Sequence, residues 1–522
     1  MIFNSLPFFV FIGIFLPLYF SLKGKARLLL TLAGSYFFYG WWDYRFLSLI
    51  VISTLIDYVI GLQLGKTEDK KQRKTLLLTS MIVNLGFLAF FKYFNFFIAS
   101  FVVMLEGMGV DPSMSSLKII LPVGISFYTF QSMSYTIDVY FKKIEIEKDF
   151  IRFATFISFF PQLVAGPIVR AADFLPQFKN DRTFHWDRFT SGVGQVLWGF
   201  FKKVAVADSL APFVDQCFAA PGGFSSLHLL IGVVFYSFQI YCDFSGYSDI
   251  AIGLARIMGF KFPDNFRTPY FSQNFSEFWT RWHISLSSWL RDYLYIPLGG
   301  NRGGSFGSIF FIVLFMFLMV LLSGWWWLAL LNFVMIGAAY YYARQGATEH
   351  ATLFNYMNLM VTMLLGGLWH GASWAFVFWG FLHGMYLVVQ RLVGPYWNKL
   401  LNTLRVPTII QTGLAILIVY VCTCYAWIYF RAPNFEIANQ VIAGITSLEQ
   451  FNVGSIVNKF WVLKGAILIG ALLFVEITDF RFHYSRLIVS NPRFRVVSFA
   501  IILWFLAFFG SYGSNSFIYF QF

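Results

Sequence analysis

Residues 351–390 read ATLFNYMNLMVTMLLGGLWHGASWAFVFWGFLHGMYLVVQ, forty positions without a lysine, arginine, aspartate or glutamate. A helix needs about 20 apolar residues to cross a hydrocarbon core, so a run twice that long is built for lipid and not for a water-facing surface. The rest of the chain has the same character. Of its 522 residues 58% are hydrophobic and 12% charged, against about 25% charged in a soluble domain, and a soluble fold of this size is excluded. The 67 Phe, 27 Tyr and 17 Trp suit helices with aromatic belts at the two interfaces.

Further runs with at most one charge cover residues 6–22, 28–42, 46–65, 76–105 (where the charge is Lys92), 119–137, 217–242, 305–343, 406–430, 465–475 and 496–522. As one helix, the run at 305–343 would extend roughly 58 Å, about twice the bilayer core; it predicts a hairpin broken near Ser323-Gly324. Together the runs predict an all-α polytopic membrane protein with roughly 11–14 spans in a single transmembrane domain over 1–522. The opening MIFNSLPFF has neither a basic segment nor a small-residue cleavage site before Lys23, so it predicts a retained first span and not a removed signal peptide.

The net charge of +13 speaks first of cytoplasmic loops and anionic headgroups, and not of nucleic acid. Lys66, Lys70, Lys71, Arg73 and Lys74 against Glu68 and Asp69 place that loop in the cytoplasm. Four cysteines, two of them as Cys422-Thr423-Cys424, form neither a disulfide framework nor a paired zinc pattern. The apolar segment Phe153 to Ala172 carries Pro161 and Gly166-Pro167. Proline there interrupts the backbone ladder, which lipid does not tolerate unless the piece is buried in protein, so a re-entrant or kinked segment is expected.

Residues 256–302 break the pattern of charge scarcity, with Arg256, Lys261, Arg267, Arg281, Arg291 and Arg302 among three acidic residues and a dozen aromatics. Within them, FWTRWHISLSSWLRDYLYIPLGGNR (278–302) sets Trp279, Trp282 and Trp289 beside Arg281, His283, Arg291 and Asp292, with helical spacing closed by Pro297 and Gly299-Gly300. Two readings stay open: an interfacial amphipathic helix with snorkelling arginines, or the floor of a site for a polar ligand entering from the cytoplasm. His370 lies between Gly366, Gly367 and Gly371 in the forty-residue run. An ionisable residue at membrane depth is costly and hence a functional candidate; the plainer alternative is a buried histidine hydrogen-bonded across helices. His383 follows 13 residues later. At about 100° per residue 13 residues turn a helix about 220°, so the two histidines are not expected to share a helix face, and a metal pair on this helix is not expected. With no HExxH and no carboxylate nearby, no metal site is predicted.

FWTRWHISLSSWLRDYLYIPLGGNR followed by GGLWHGASWAFVFWGFLHG (366–384) resembles the membrane-bound O-acyltransferase family, in its bacterial branch. SYFFYGWWDYRFL, LPVGISFYTFQSMSYTIDVY, FFPQLVAGPIVR, YCDFSGYSDIAIGLARIMGF, NFRTPYFSQNFSEFW and the terminal FIYFQF resemble the same branch, so the likeness spans nearly the whole chain. It implies an MBOAT-like helical bundle with re-entrant and interfacial segments and a central tunnel. It also implies an acetyl-CoA-dependent O-acyltransferase of the bacterial inner membrane that O-acetylates an extracytoplasmic polysaccharide such as alginate, peptidoglycan or cellulose. The family's embedded catalytic histidine falls on His370, and its second polar position on His283. Trp279, Trp282, Trp369 and His383 are expected along the tunnel. Arg256, Lys261, Arg267, Arg281 and Arg291 offer guanidinium and ammonium groups to the phosphates of CoA. Tyr519, in the terminal aromatic motif, is expected either to relay the acyl group or to sit in the interfacial belt. No tightly bound cofactor is implied, acetyl-CoA being a substrate, and a periplasmic SGNH-type transferase is the expected partner besides membrane lipid.

His283 and His370 are 87 residues apart, wider than the family pattern, and the excess lies near 305–353. Two added spans return the chain to the same side, so a peripheral inserted hairpin is expected there. A transporter of a lipid-linked saccharide or small solute is the competing class, because broken helices and midplane ionisable residues also occur there.

Overall fold

The computed structural model describes residues 1–107, 109–110, 117–323, 337, 349–449, 451–482, 490–511 and 517–518. Among them there is no strand. Among the described residues seven helical stretches are long and apolar enough to cross a bilayer, and Leu6–Ser21 is a shorter apolar helix. One of the seven, Gly24–Leu64, is interrupted at Asp43, whose backbone is extended between helices Gly24–Asp43 and Leu47–Leu64. The helices follow the low-charge runs because lipid leaves a backbone no hydrogen-bond partner but itself. The expected hairpin at 305–353 falls in part outside the described residues; its first half is the helix Phe306–Ser323.

The chain folds into two compact units of interleaved segments, the first comprising Met1–Leu88, Pro122–Arg267 and Glu436–Phe522, the second Ala89–Leu121 and Thr268–Phe435. The first unit is organised on the 32-residue helix Ser226–Ile257, which packs antiparallel to Trp186–Phe200 through two glycine pairs, Gly192 with Gly253 and Gly199 with Gly246. A Cβ on any of the four would stand 2.6–2.7 Å from the carbonyl oxygen of its opposite glycine, so the two backbones touch where small residues recur every seven positions. Gly246→Val is expected to cost about 1–3 kcal/mol through overpacking against unyielding backbone, read as a lower thermal midpoint of the detergent-solubilised protein.

Two buried polar knots lie in this unit. Asp57 accepts from Ser80 Oγ (2.6 Å), Asn84 Nδ2 (2.8 Å) and Ser132 Oγ, tying together the helices Leu47–Leu64, Lys70–Leu88 and Ile125–Tyr140. The second lies at Phe201–Ala207, a π-helical stretch. Its Lys203 ammonium lies 2.8 Å from an Asp208 oxygen and 2.6 Å from Asp243 Oδ1, while Lys202 pairs with Asp249 at 2.5 Å. The other Asp243 oxygen accepts the Ile518 N–H at 2.8 Å, and Lys203 sits 4.4 Å from the buried Phe517 ring centroid. Phe517 and Ile518 are thereby fastened to an ion cluster inside the unit.

The proline-interrupted segment is helical only over Phe150–Ser158. Residues 159–169 are irregular and buried, with the Phe160 N–H donating to Ser35 Oγ and the Phe156 carbonyl accepting from both Gln131 and Gln162. Irregular backbone at this depth is tolerated because protein donors and acceptors replace the missing ladder.

In the second unit the forty-residue run is not one helix. It divides into Glu349–His370 and Trp374–Thr403, joined through residues 371–373, with Ser373 capping the second helix by accepting from the Ala375 N–H. The two pack antiparallel across Gly367 and Gly380, where an added Cβ would collide with the carbonyls of Phe376 and Met363 respectively.

Candidate active site

That division corrects the single-helix premise for the two histidines. His370 is the last residue of one helix and His383 lies in the next, so the 220° offset does not separate them. Both pack on one indole: Trp379 has its centroid 5.0 Å from His370 and 4.7 Å from His383. The short loop of the hairpin does what helical periodicity forbids.

The stretch at 278–302 is likewise not one amphipathic helix. It runs as Phe275–Arg281, Ile284–Leu290 and a π-helical turn Arg291–Tyr295. The first break is at His283, whose φ is +44°. A positive φ is uncommon and costly outside glycine, and such positions concentrate at functional sites. Here the break turns the His283 side chain inward: it is fully buried, and its centroid lies 5.8 Å from Trp369 and 6.3 Å from His370. Trp369, Trp379 and Phe430 wall His370 at centroid distances of 5.1, 5.0 and 5.4 Å. Two imidazoles thus face one small region lined by aromatic rings. A neutral histidine can accept a proton and return it within one catalytic cycle, and walls that keep water out strengthen each electrostatic contact inside.

His383 sits in a box of Phe278, Trp279, Trp379 and Tyr386, and neither of its ring nitrogens has a hydrogen-bond partner among the described residues. Trp282 is buried against Phe278 and Trp427. The four expected tunnel residues therefore gather around the histidines, joined by Trp379, Trp427 and Phe430, which went unnoticed because nothing in their spacing separates them from other aromatics.

The basic residues do not form one cluster within a unit. Arg256, Lys261 and Arg267 belong to the first unit, Arg281 and Arg291 to the second. Arg256 donates to Ser191 Oγ at 2.9 Å, and Arg267 pairs with Asp264 at 2.9 Å. Arg281 pairs with Glu277 at 2.6 Å, one helical turn back. Arg291 pairs with Asp292 at 2.7 Å, and this hydrogen bond raises its guanidinium above the ordinary value. Lys261 is exposed, its backbone held on both sides by Gln177. Tyr519 lies outside the described residues.

A residue that composition did flag is also in place. Lys92, the lone charge of the 76–105 run, donates to the carbonyls of Trp369 (2.7 Å) and His370 (3.2 Å).

An all-helical, membrane-embedded chain with paired buried histidines defines a class, and comparison with known proteins identifies it. The model of the membrane-bound O-acyltransferase family matches residues 46–322, a range that includes His283, and the chain belongs to that family. It is a multi-pass membrane O-acyltransferase. The probable alginate O-acetylase AlgI of Azotobacter vinelandii is 37% identical over 499 residues, covering 94% of this chain and 88% of that protein. The peptidoglycan O-acetyltransferase of Helicobacter pylori is 34% identical over 86% of this chain and 80% of its own length. The teichoic acid D-alanyltransferase of Bacillus subtilis is 26% identical over 60% and 69%.

Proposed function

We propose that this chain takes acetyl from cytoplasmic acetyl-CoA and passes it across the bacterial inner membrane, through a tunnel past the two histidines, for O-acetylation of an extracytoplasmic polysaccharide. The observation that carries it is the pair His283 and His370, buried 6.3 Å apart among tryptophans. His370 takes the proton of an acceptor hydroxyl as its oxygen attacks the thioester carbonyl. The C–S bond breaks, and the same proton returns to the departing thiolate. His283 orients the hydroxyl or the thioester carbonyl. Exposed basic groups such as Arg291 meet the CoA phosphates, and a periplasmic SGNH-type transferase receives the acetyl group for the polymer. Alginate and peptidoglycan are the polymers in the names of the relatives and head the list of acceptors to try.

Purified protein in nanodiscs, given acetyl-CoA labelled in its acetyl group, is expected to release CoA. Solute flux into proteoliposomes without thioester cleavage would replace the proposal with a transporter. Tyr519, one residue beyond the anchored Ile518, is proposed to carry the acetyl group as an ester before the partner collects it. The terminal peptide is expected to gain one acetyl by mass spectrometry, and Tyr519→Phe to lower transfer to polymer at least tenfold. Full transfer in that variant would remove the tyrosine from the path.

A further inference from the structure

Lys92 stands in a run that otherwise offers nothing to a cation. Its segment, Ala89–Tyr93, is π-helical, a local irregularity that sacrifices regular backbone bonding and recurs at functional sites. The bulge sets two consecutive side chains on one target: the Tyr93 hydroxyl donates to the Leu368 carbonyl at 2.7 Å, while Lys92 Nζ donates to Trp369 O and His370 O. These three carbonyls end the helix Glu349–His370, where the last-turn carbonyls have no donor of their own. A cation is favoured at this end of a helix because the peptide dipoles converge there. The ammonium also lies 5.8 Å from the Trp369 ring centroid.

A buried ammonium is expensive, and a neutral donor would serve an ordinary helix end more cheaply. What distinguishes this end is the residue on it. The Trp369 and His370 carbonyls held by Lys92 belong to the two peptide planes that meet at the His370 Cα, and together these set the direction of its Cα–Cβ bond. The close Gly367–Gly380 contact holds the same turn of the helix. We infer that Lys92, with Tyr93, is a positioning residue that locks the end of the Glu349–His370 helix and so aims the His370 imidazole at the reacting group. This rests on the proposed role of His370 as the proton carrier.

The test uses full-length protein in nanodiscs with acetyl-CoA, measuring CoA release. Lys92→Met keeps the length of the side chain and removes the donor. It is expected to lower kcat about 10- to 100-fold, the scale of a misplaced reacting group, with KM for acetyl-CoA changed less than about twofold, while Lys92→Arg restores kcat to within about fivefold of native. Tyr93→Phe, which removes one neutral bond and no charge, is expected to lower kcat a few-fold at unchanged KM. Native kcat in Lys92→Met, or a rise in KM that accounts for the whole loss, overturns the inference. If Lys92→Met fails to fold, native kcat in Tyr93→Phe together with an Arg variant no better than the Met variant in yield and activity overturns it. His370→Ala run beside these separates the two claims. Undiminished turnover there removes the role of His370 itself, whereas a dead His370→Ala with a fully active Lys92→Met removes only the positioning role.

Discussion

His370→Ala is expected to lower CoA release from acetyl-CoA by about 10³-fold, within the 10²–10⁴ that a positioned proton carrier contributes, with KM for the donor little changed. The reason is geometric. His370 is buried between Trp369, Trp379 and Phe430, with His283 as its neighbouring imidazole at 6.3 Å, so its ring is the group placed to carry the proton. His283→Ala is expected to cost less, about 10- to 100-fold, and the double variant little more than His370→Ala alone, because two groups serving one proton transfer are not additive. Stopped-flow detection of free thiol measures all three. A double variant falling to the product of the single losses would show that the two histidines act on separate steps.

The second large effect is on stability. Lys203→Met leaves Asp208 and Asp243, both buried, without the ammonium that stands 2.8 and 2.6 Å from them. Removing one partner of a buried ion pair typically costs about 3–5 kcal/mol. Thermal unfolding of the solubilised protein should show a clear fall, and the triple variant Lys203→Met, Asp208→Asn, Asp243→Asn should recover most of it, since neutral groups need no counter-ion. Asp243→Ala, which removes the acceptor of the Ile518 N–H, should also make the C-terminal peptide more sensitive to carboxypeptidase. A Lys203→Met protein as stable as native would mean that the cluster is hydrated or otherwise compensated.

Part of this molecule was legible before any coordinates. Some low-charge runs became helices close to their expected limits, as at residues 406–430 for Thr408–Arg431 and 46–65 for Leu47–Leu64, while others shifted, as 217–242 did to Asp208–Ala219 and Ser226–Ile257. The proline-bearing segment after Ser158 is irregular and buried as its residues required. The motifs mark His283 and His370, and the fold brings their rings within 6.3 Å. One inference from periodicity fails, and one of two open readings falls, for the same reason. A stretch read as a continuous helix, 351–390 in the first case and 278–302 in the second, is broken at a few residues, Gly371–Ser373 and His283, where capping or a positive φ costs little in composition and changes every direction that follows.

Sequence by itself determined that the chain is all-helical and lives in a membrane, because hydrophobicity is summed over twenty residues and survives any local detail. It also marked the rare ionisable residues in apolar runs as the ones to watch, since burying charge is costly wherever the helix goes. Tertiary structure alone decided what those residues do. Lys92 meets the carbonyls of residues 369 and 370, and Asp243, which no sequence pattern marked, meets Lys203 and residue 518, across separations that no local pattern encodes. Such contacts depend on π-helical bulges, helix ends and close glycine crossings, which shift a side chain by one position or one turn, and only packing against the rest of the chain selects them.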